Sequence, residues 1–278
     1  MPRMKPDTRL SRCIAALCLG GLACLTFAGG CQREGRETEL NIVTSTTMLG
    51  TIVREIGGDR VKTTSIVPYD ALPENFEPDP GQIDAASRAD LVIMSGYEKW
   101  APRMSAAVKT QENLAFTGIA ADLMLPYYHL DAADSVTEAL VRRDPEAEVL
   151  YRFNRNDYRS RLALEAEDLC ASMLRLDEAR VICSDAQADF LDYMGFDIIG
   201  TYGSPDDLTR GETARLIEVG ERNGVRLVVD DLHRGPDAGE RIADEIGATR
   251  VVLKRYPESQ SYIGLLRESA EKLLSALQ

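Results

Sequence analysis

The sequence predicts an α/β protein of two lobes, and three observations carry that expectation. With 278 residues and 44% hydrophobic content, the chain can bury a substantial core and supply two lobes of about a hundred residues each. Short apolar runs alternate with amphipathic segments along most of its length, which is the pattern of a parallel sheet covered by helices. From about Asp144-Pro145 the pattern is helical as far as Leu174, with Gly and interior Pro absent. A helix of about 30 residues would be about 45 Å long.

The elements follow in order. Arg3, Lys5, Arg9 and Arg12 precede an apolar run from Ile14 to Phe27 and small residues before Cys31, so residues 1–30 read as an export signal. The run is shorter than the roughly 20 residues a spanning helix needs. Ala28-Gly29-Gly30-Cys31 resembles a lipoprotein processing site, which would leave Cys31 first and carrying lipid. Cys13, Cys18 and Cys24 would depart with the signal, leaving Cys170 and Cys183. Export permits a bond between these two; two free, buried thiols are the competing expectation, and no zinc-finger spacing exists. Gln32 to Glu39 is a polar tether.

The first lobe, residues 40–143, has strand-like runs at Leu40–Thr44, Val61–Val67, Asp90–Ser95 and Asn113–Thr117. The long helix is expected over 144–176. In the second lobe, 177–278, strands fall near Arg180–Cys183, Phe196–Gly200, Arg226–Val229 and Thr249–Leu253. Helices there are expected at Gln187–Tyr193, Glu212–Asn223, Asp237–Ile246 and Tyr262–Leu277.

Composition excludes some functions. The formal charge is −13 and becomes −16 once residues 1–30, with four basic residues and one acidic, are removed. Such a surface disfavours nucleic acid and anionic lipid; it suits cation capture, and equally a merely solvated exterior. The chain has no Gly-x-Ser-x-Gly elbow, phosphate loop or His-Glu-x-x-His, and only two histidines, so it is not expected to be an enzyme.

Several ordered motifs carry a resemblance. Ile42-Val43-Thr44-Ser45-Thr46-Thr47 is followed by Ile52-Val53-Arg54-Glu55-Ile56-Gly57-Gly58-Asp59, then Pro73-Glu74-Asn75-Phe76-Glu77-Pro78-Asp79-Pro80, Ala89-Asp90-Leu91-Val92 and Gly96-Tyr97-Glu98-Lys99-Trp100. Further on come Asp144-Pro145 with Tyr151, Asn154 and Tyr158, and a closing Gln260-Ser261-Tyr262. Together these resemble the zinc and manganese solute-binding proteins of bacterial ABC transporters, over nearly the whole mature chain. The resemblance implies two Rossmann-like lobes joined by a long backbone helix and an exported monomer held to the membrane by its lipid. It also implies manganese or zinc as cargo, captured between the lobes, and a permease and ATPase as partners.

The ligand positions depart from the family's. Its first loop reads Pro-His-x-Tyr-Glu-Pro-x-Pro, which puts Glu74 at the histidine. Its Pro-His-x-Trp-Leu-Asp pattern falls on Pro126 to Asp131, with Tyr127 at the ligand and His129 at the Trp position. The third ligand falls on Ser184 and the fourth near Lys254 or Arg255. Neutral hydroxyls are poor zinc ligands, and a unit positive charge about 4 Å from a divalent ion costs roughly 8 kcal/mol at an effective dielectric of about 20. A rescued metal set of Glu74, His129, Asp185 and Asp231 would be hard, nearer manganese than zinc in preference. In the alternative, Glu74, Tyr127, Ser184 and Arg255 would hold a small anionic or zwitterionic solute, since Arg presents a fork to carboxylate. A ligand-free scaffold or adhesin, its cleft closed by internal salt bridges, is the third reading.

Overall fold

The computed structural model describes residues 39–173, 179–258 and 261–278. The expected signal, Cys31 and the tether before Glu39 lie outside the described residues. In the first lobe, β1 (Leu40–Thr46), β2 (Val61–Val67), β3 (Leu91–Met94) and β4 (Leu114–Phe116) form one parallel sheet in the order β2-β1-β3-β4. β3 is buried at every position and β1 at all but one, whereas β2 alternates toward solvent at the edge. Continuous Ile, Val and Leu runs are what a strand covered on both faces requires.

The second lobe repeats the plan. β5 (Arg180–Ser184), β6 (Asp197–Tyr202), β7 (Leu227–Asp231) and β8 (Thr249–Leu253) are parallel in the order β6-β5-β7-β8. In each sheet the order reverses beside the central strand, between β1 and β3 and again between β5 and β7. The crevice beyond the carboxyl ends of such a pair is where open α/β sheets bind ligands.

Helix α1 (Thr47–Gly57) follows β1, with the Thr46 hydroxyl accepting from the Leu49 amide. It ends at the Gly-Gly pair for steric reasons. A Cβ on Gly57 would lie 2.3 Å from Val61, and Gly58 has φ of 55°, a conformation that favours glycine. The remaining helices are α2 (Pro80–Arg88), α3 (Ala101–Ala107), α4 (Pro126–Arg143), α5 (Glu148–Met173), α6 (Asp185–Tyr193), α7 (Arg210–Asn223), α8 (Glu240–Ile246) and α9 (Tyr262–Leu277). All eight sequence-predicted strands are present, with ends shifted by at most two residues. The 18-residue α4 begins at Pro126, so the ligand pattern read over Pro126 to Asp131 lies in its first turns.

The long helix α5, 26 residues after a 3₁₀ turn at Pro145–Ala147, runs about 39 Å between the lobes. Its polar motif residues each hold a neighbour. Asp144 accepts from Arg60 at 2.8 Å and from the Tyr151 hydroxyl at 2.8 Å; burial, then the Asp144 hydrogen bond, pushes the Tyr151 pKa up to about 12. The Asn154 amide donates to the Ile56 carbonyl at 2.8 Å, closing the end of α1. Tyr158 reaches the His129 ring at 2.7 Å. A single apolar cluster runs from Leu40 and Ile52 through Tyr158 and Leu162 to Leu227 and Leu273, so the core is continuous through both lobes. Among the described residues, no helix is long and apolar enough to cross a membrane. Cys170 and Cys183 are both free.

A cleft between the two sheet ends

The carboxyl ends of both sheets meet at one cleft. From the first lobe come Thr46 at the end of β1, the 68–79 loop with Glu74, Ser95 after β3, and Asp122 after β4; from the second come Arg255 and Tyr256 after β8. These line a cavity of about 430 Å³. Glu98 also lines it, with its carboxylate accepting from the Ser95 and Gly96 amides at 3.0 and 2.8 Å.

The turn after β7 is built by a buried carboxylate. One Asp231 oxygen accepts from the His233 and Arg234 amides, each at 2.9 Å. The other accepts from the Gln187 side chain at 2.7 Å. Gly235 completes the turn at φ 148°, where a Cβ would lie 2.6 Å from Pro205. This geometry throws His233 and Arg234 toward the first lobe. The His233 Nε2–H donates to the Tyr69 carbonyl at 2.6 Å. Arg234 reaches Glu74 at 3.1 Å and lies 4.0 Å from Asp185.

A second cation enters from β8. Arg255 pairs with Asp122 at 3.2 Å, both side chains largely buried. Burial works against its charge, but Asp122, Tyr256 and Asp231 outweigh it and hold the guanidinium pKa above the ordinary value. The neighbouring Tyr256 is pushed up to about 12, chiefly by burial. The two cross-lobe pairs differ in weight. Arg234–Glu74, with side chains 37% and 40% exposed, is worth about 1 kcal/mol or less. Breaking a buried pair such as Arg255–Asp122 by removing one partner costs about 3–5 kcal/mol.

The sequence-predicted residues separate accordingly. Glu74 and Arg255 line the cavity, Asp185 is exposed and 4.0 Å from Arg234 outside that lining, and Asp231 is the organiser of the Arg234 turn. His129 does not belong with them. It is fully buried, stacked on Tyr262 with ring centroids 3.7 Å apart, its Nδ1 3.3 Å from the Leu123 carbonyl and its Nε2 held by Tyr158. Burial lowers its pKa to about 3. The rescued four-residue metal set is therefore not assembled, and among the described residues no three His, Cys, Asp or Glu side chains are grouped to hold a metal ion. Tyr127 is half exposed and packs on Tyr128 and Tyr193 rather than lining the cavity. Ser184 is buried at the start of α6. Lys254 turns away to Glu268 at 3.2 Å, so Arg255 is the β8 cation that faces the cleft.

Sequence reasoning missed Asp122, His233, Arg234 and Tyr256. One signal was available: Asp231-Leu232-His233-Arg234-Gly235-Pro236 is an Asp and a Gly-Pro turn at a strand's carboxyl end, where side chains meet ligands.

Comparison with known proteins gives the fold a context. Residues 42–276 match the family described as zinc-uptake complex component A, periplasmic. The manganese-binding lipoprotein MntA of Halalkalibacterium halodurans is 25% identical over 287 residues, covering 90% of this chain and 94% of that protein. The manganese ABC transporter substrate-binding lipoprotein PsaA of Streptococcus pneumoniae is 32% identical over 93 residues, 34% of this chain and 29% of that one. Among solved structures, a crystal structure of ZnuA superposes with a TM-score of 0.76 at 22% identity, covering 86% of this chain and 99% of that chain. A manganese-bound periplasmic metal-binding protein from Candidatus Liberibacter asiaticus does so with a TM-score of 0.74 at 15% identity, covering 86% and 100%.

Proposed function

Because the chain belongs to the periplasmic zinc-uptake component A family, we propose that it is the solute-binding component of an ABC importer and captures a divalent cation in the cleft between its lobes. The observation that carries the reading is the charge of the cleft: Glu74, Glu98 and Asp122 of the first lobe line it, with Arg255 of the second lobe on Asp122 and Arg234 on Glu74. Three carboxylates against two guanidinium groups favour a cation over an anion. The available donors are oxygen, which suits manganese better than zinc. Relatives named as manganese-binding lipoproteins support the same cargo class. Export, anchoring by lipid on Cys31, and delivery to a permease and ATPase complete the reading. The continuous core along α5 supports capture between lobes that move little.

A second reading rests on the cavity itself. Its walls hold Arg255, whose Nε has no partner, beside Glu74, Tyr97 and Tyr256. A small zwitterion could place its carboxylate on the Arg255 fork and its ammonium on Glu74.

Elemental analysis of the purified full-length chain, with native mass spectrometry for organic solutes, tests both. Manganese or zinc near one per chain supports the first reading. A bound zwitterion without metal replaces it with the second, and an empty cleft after incubation with both classes refutes capture altogether.

A further inference from the structure

We propose that the first two turns of α5 dock on the lipid bilayer, with Val149, Leu150 and Phe153 entering its interface. The inference rests on the reading that Cys31 carries lipid and is independent of the cargo. Seven large apolar side chains are exposed among the described residues, and these three fall within five positions of one helix. Val149 is 84% and Phe153 68% exposed. Four residues apart, the two share a face of α5, while Tyr151 and Tyr158 bury the opposite one. Clustering on one face, rather than exposure as such, is what marks a contact surface.

The place of the patch points to lipid as its partner. Asp90 accepts from the Asn41 amide at 2.8 Å and, through its other carboxylate oxygen and its carbonyl, from Arg143 at 3.3 and 2.9 Å. Leu40 pairs with Val61 in the sheet, and Arg60 beside it reaches Asp144, which also holds Tyr151. The chain therefore enters β1 next to the turn that starts α5. Cys31 lies eight residues before Glu39, a reach of at most about 28 Å. Lipid on Cys31 thus brings the bilayer within reach of this end of the lobe. The cleft lies at the carboxyl ends of the strands, about 20 Å away along β1, so docking here leaves its mouth clear of lipid.

The charges around the patch fit zwitterionic headgroups. Arg152 pairs with Glu138 and Glu148, each at 2.7 Å, and Arg155 and Arg159 pair with Asp134 at 3.2 and 3.0 Å. The flanks are balanced although the chain as a whole is strongly acidic, so the headgroups meet no excess of either sign. A buried apolar face adds its own area to the hold of a lipid anchor.

The test uses the full-length lipidated chain in phosphatidylcholine vesicles that contain a spin-labelled phosphatidylcholine as quencher. In a Cys170→Ser background, with the buried Cys183 left unlabelled, a fluorophore is attached at Asn156→Cys, on the patch face one turn beyond Phe153, or at Asp70→Cys in the loop beside the cleft; both positions are exposed. Quenching at 156 is expected to exceed that at 70 by about twofold or more. Burial of each side chain is worth about a tenfold step in docking. Val149→Ser with Phe153→Ser, checked for folding by thermal melting, should therefore bring quenching at 156 down to the level at 70. Equal quenching at the two labels before that change, or quenching at 156 that survives it, overturns docking while lipid anchoring stands. No quenching at 156 together with a cross-link between two copies at that label assigns the patch to a second copy and overturns docking as well. If mass spectrometry finds no lipid on Cys31 and the chain does not float with the vesicles, the inference and the anchoring reading fall together.

Discussion

His129 should make the stability of this fold depend on pH in a way that can be calculated. The Leu123 carbonyl can only accept, so Nδ1 carries the ring proton and Nε2 accepts from the Tyr158 hydroxyl. A second proton would place a charge between the Tyr158 and Tyr262 rings with no exposure to water, and burial accordingly lowers the pKa from 6.5 to about 3. The unfolded chain binds this proton below about pH 6.5 and the folded chain does not. Stability from the neutral imidazole is therefore fully present above pH 6.5 and is lost as pH falls toward 3. At 1.36 kcal/mol per pH unit, the loss between pH 6.5 and 4.5 is about 3 kcal/mol. Urea unfolding at pH 7 and 4.5 measures it, with His129→Gln as the reference that keeps a donor and an acceptor but cannot titrate. The difference in unfolding free energy between wild type and variant should shift by about 3 kcal/mol toward the variant on acidification. Parallel pH profiles would refute the argument and mean that His129 can charge within the fold.

Three further outcomes are expected. Gly57→Ala drives a methyl to within 2.3 Å of Val61, so overpacking of about 1–3 kcal/mol outweighs the roughly 1 kcal/mol gained in helix preference; a lowered melting temperature supports this, and an unchanged one means Val61 simply rotates aside. Asp122→Asn strips a largely buried Arg255 of its counter-charge, with an expected loss of about 3 kcal/mol in urea unfolding against about 1 kcal/mol or less for Glu74→Gln. The Cys183 thiol is buried and its pKa is raised to about 12, by burial and then by Asp185. It should resist alkylation in the native protein and react only on unfolding, with peptide mapping to separate it from Cys170.

Much of the fold was legible because parallel strands buried on both faces leave unbroken aliphatic runs such as Leu91–Met94 and Leu227–Val229. The Gly57-Gly58 pair and the residues Asp144, Tyr151, Asn154 and Tyr158 could be read as a family pattern. Their physical work, a helix end crowded by Val61 and a long helix pinned to α1 and α4, needed coordinates. His129 was misplaced because a ligand motif was laid over the first turn of α4. Periodicity held a warning: His129, Ala132, Ala133, Val136 and Leu140 share one buried face, which is the spacing of a core stripe. The cleft was harder. Glu74 and Arg234 are separated by 160 residues and Asp122 and Arg255 by 133, and nothing local in either segment specifies which pair meets. The choice between Lys254 and Arg255 turned on the two residues just past β8, where Lys254 pairs with Glu268 and Arg255 with Asp122.

Diffraction from crystals grown with manganese, collected to record its anomalous signal, tests the central claim most directly. Capture of a divalent cation between the lobes predicts one strong peak in the cleft lined by Glu74, Glu98 and Asp122. Crystals of well-saturated protein with no anomalous peak in the cleft, or with a peak only elsewhere on the molecule, would contradict it.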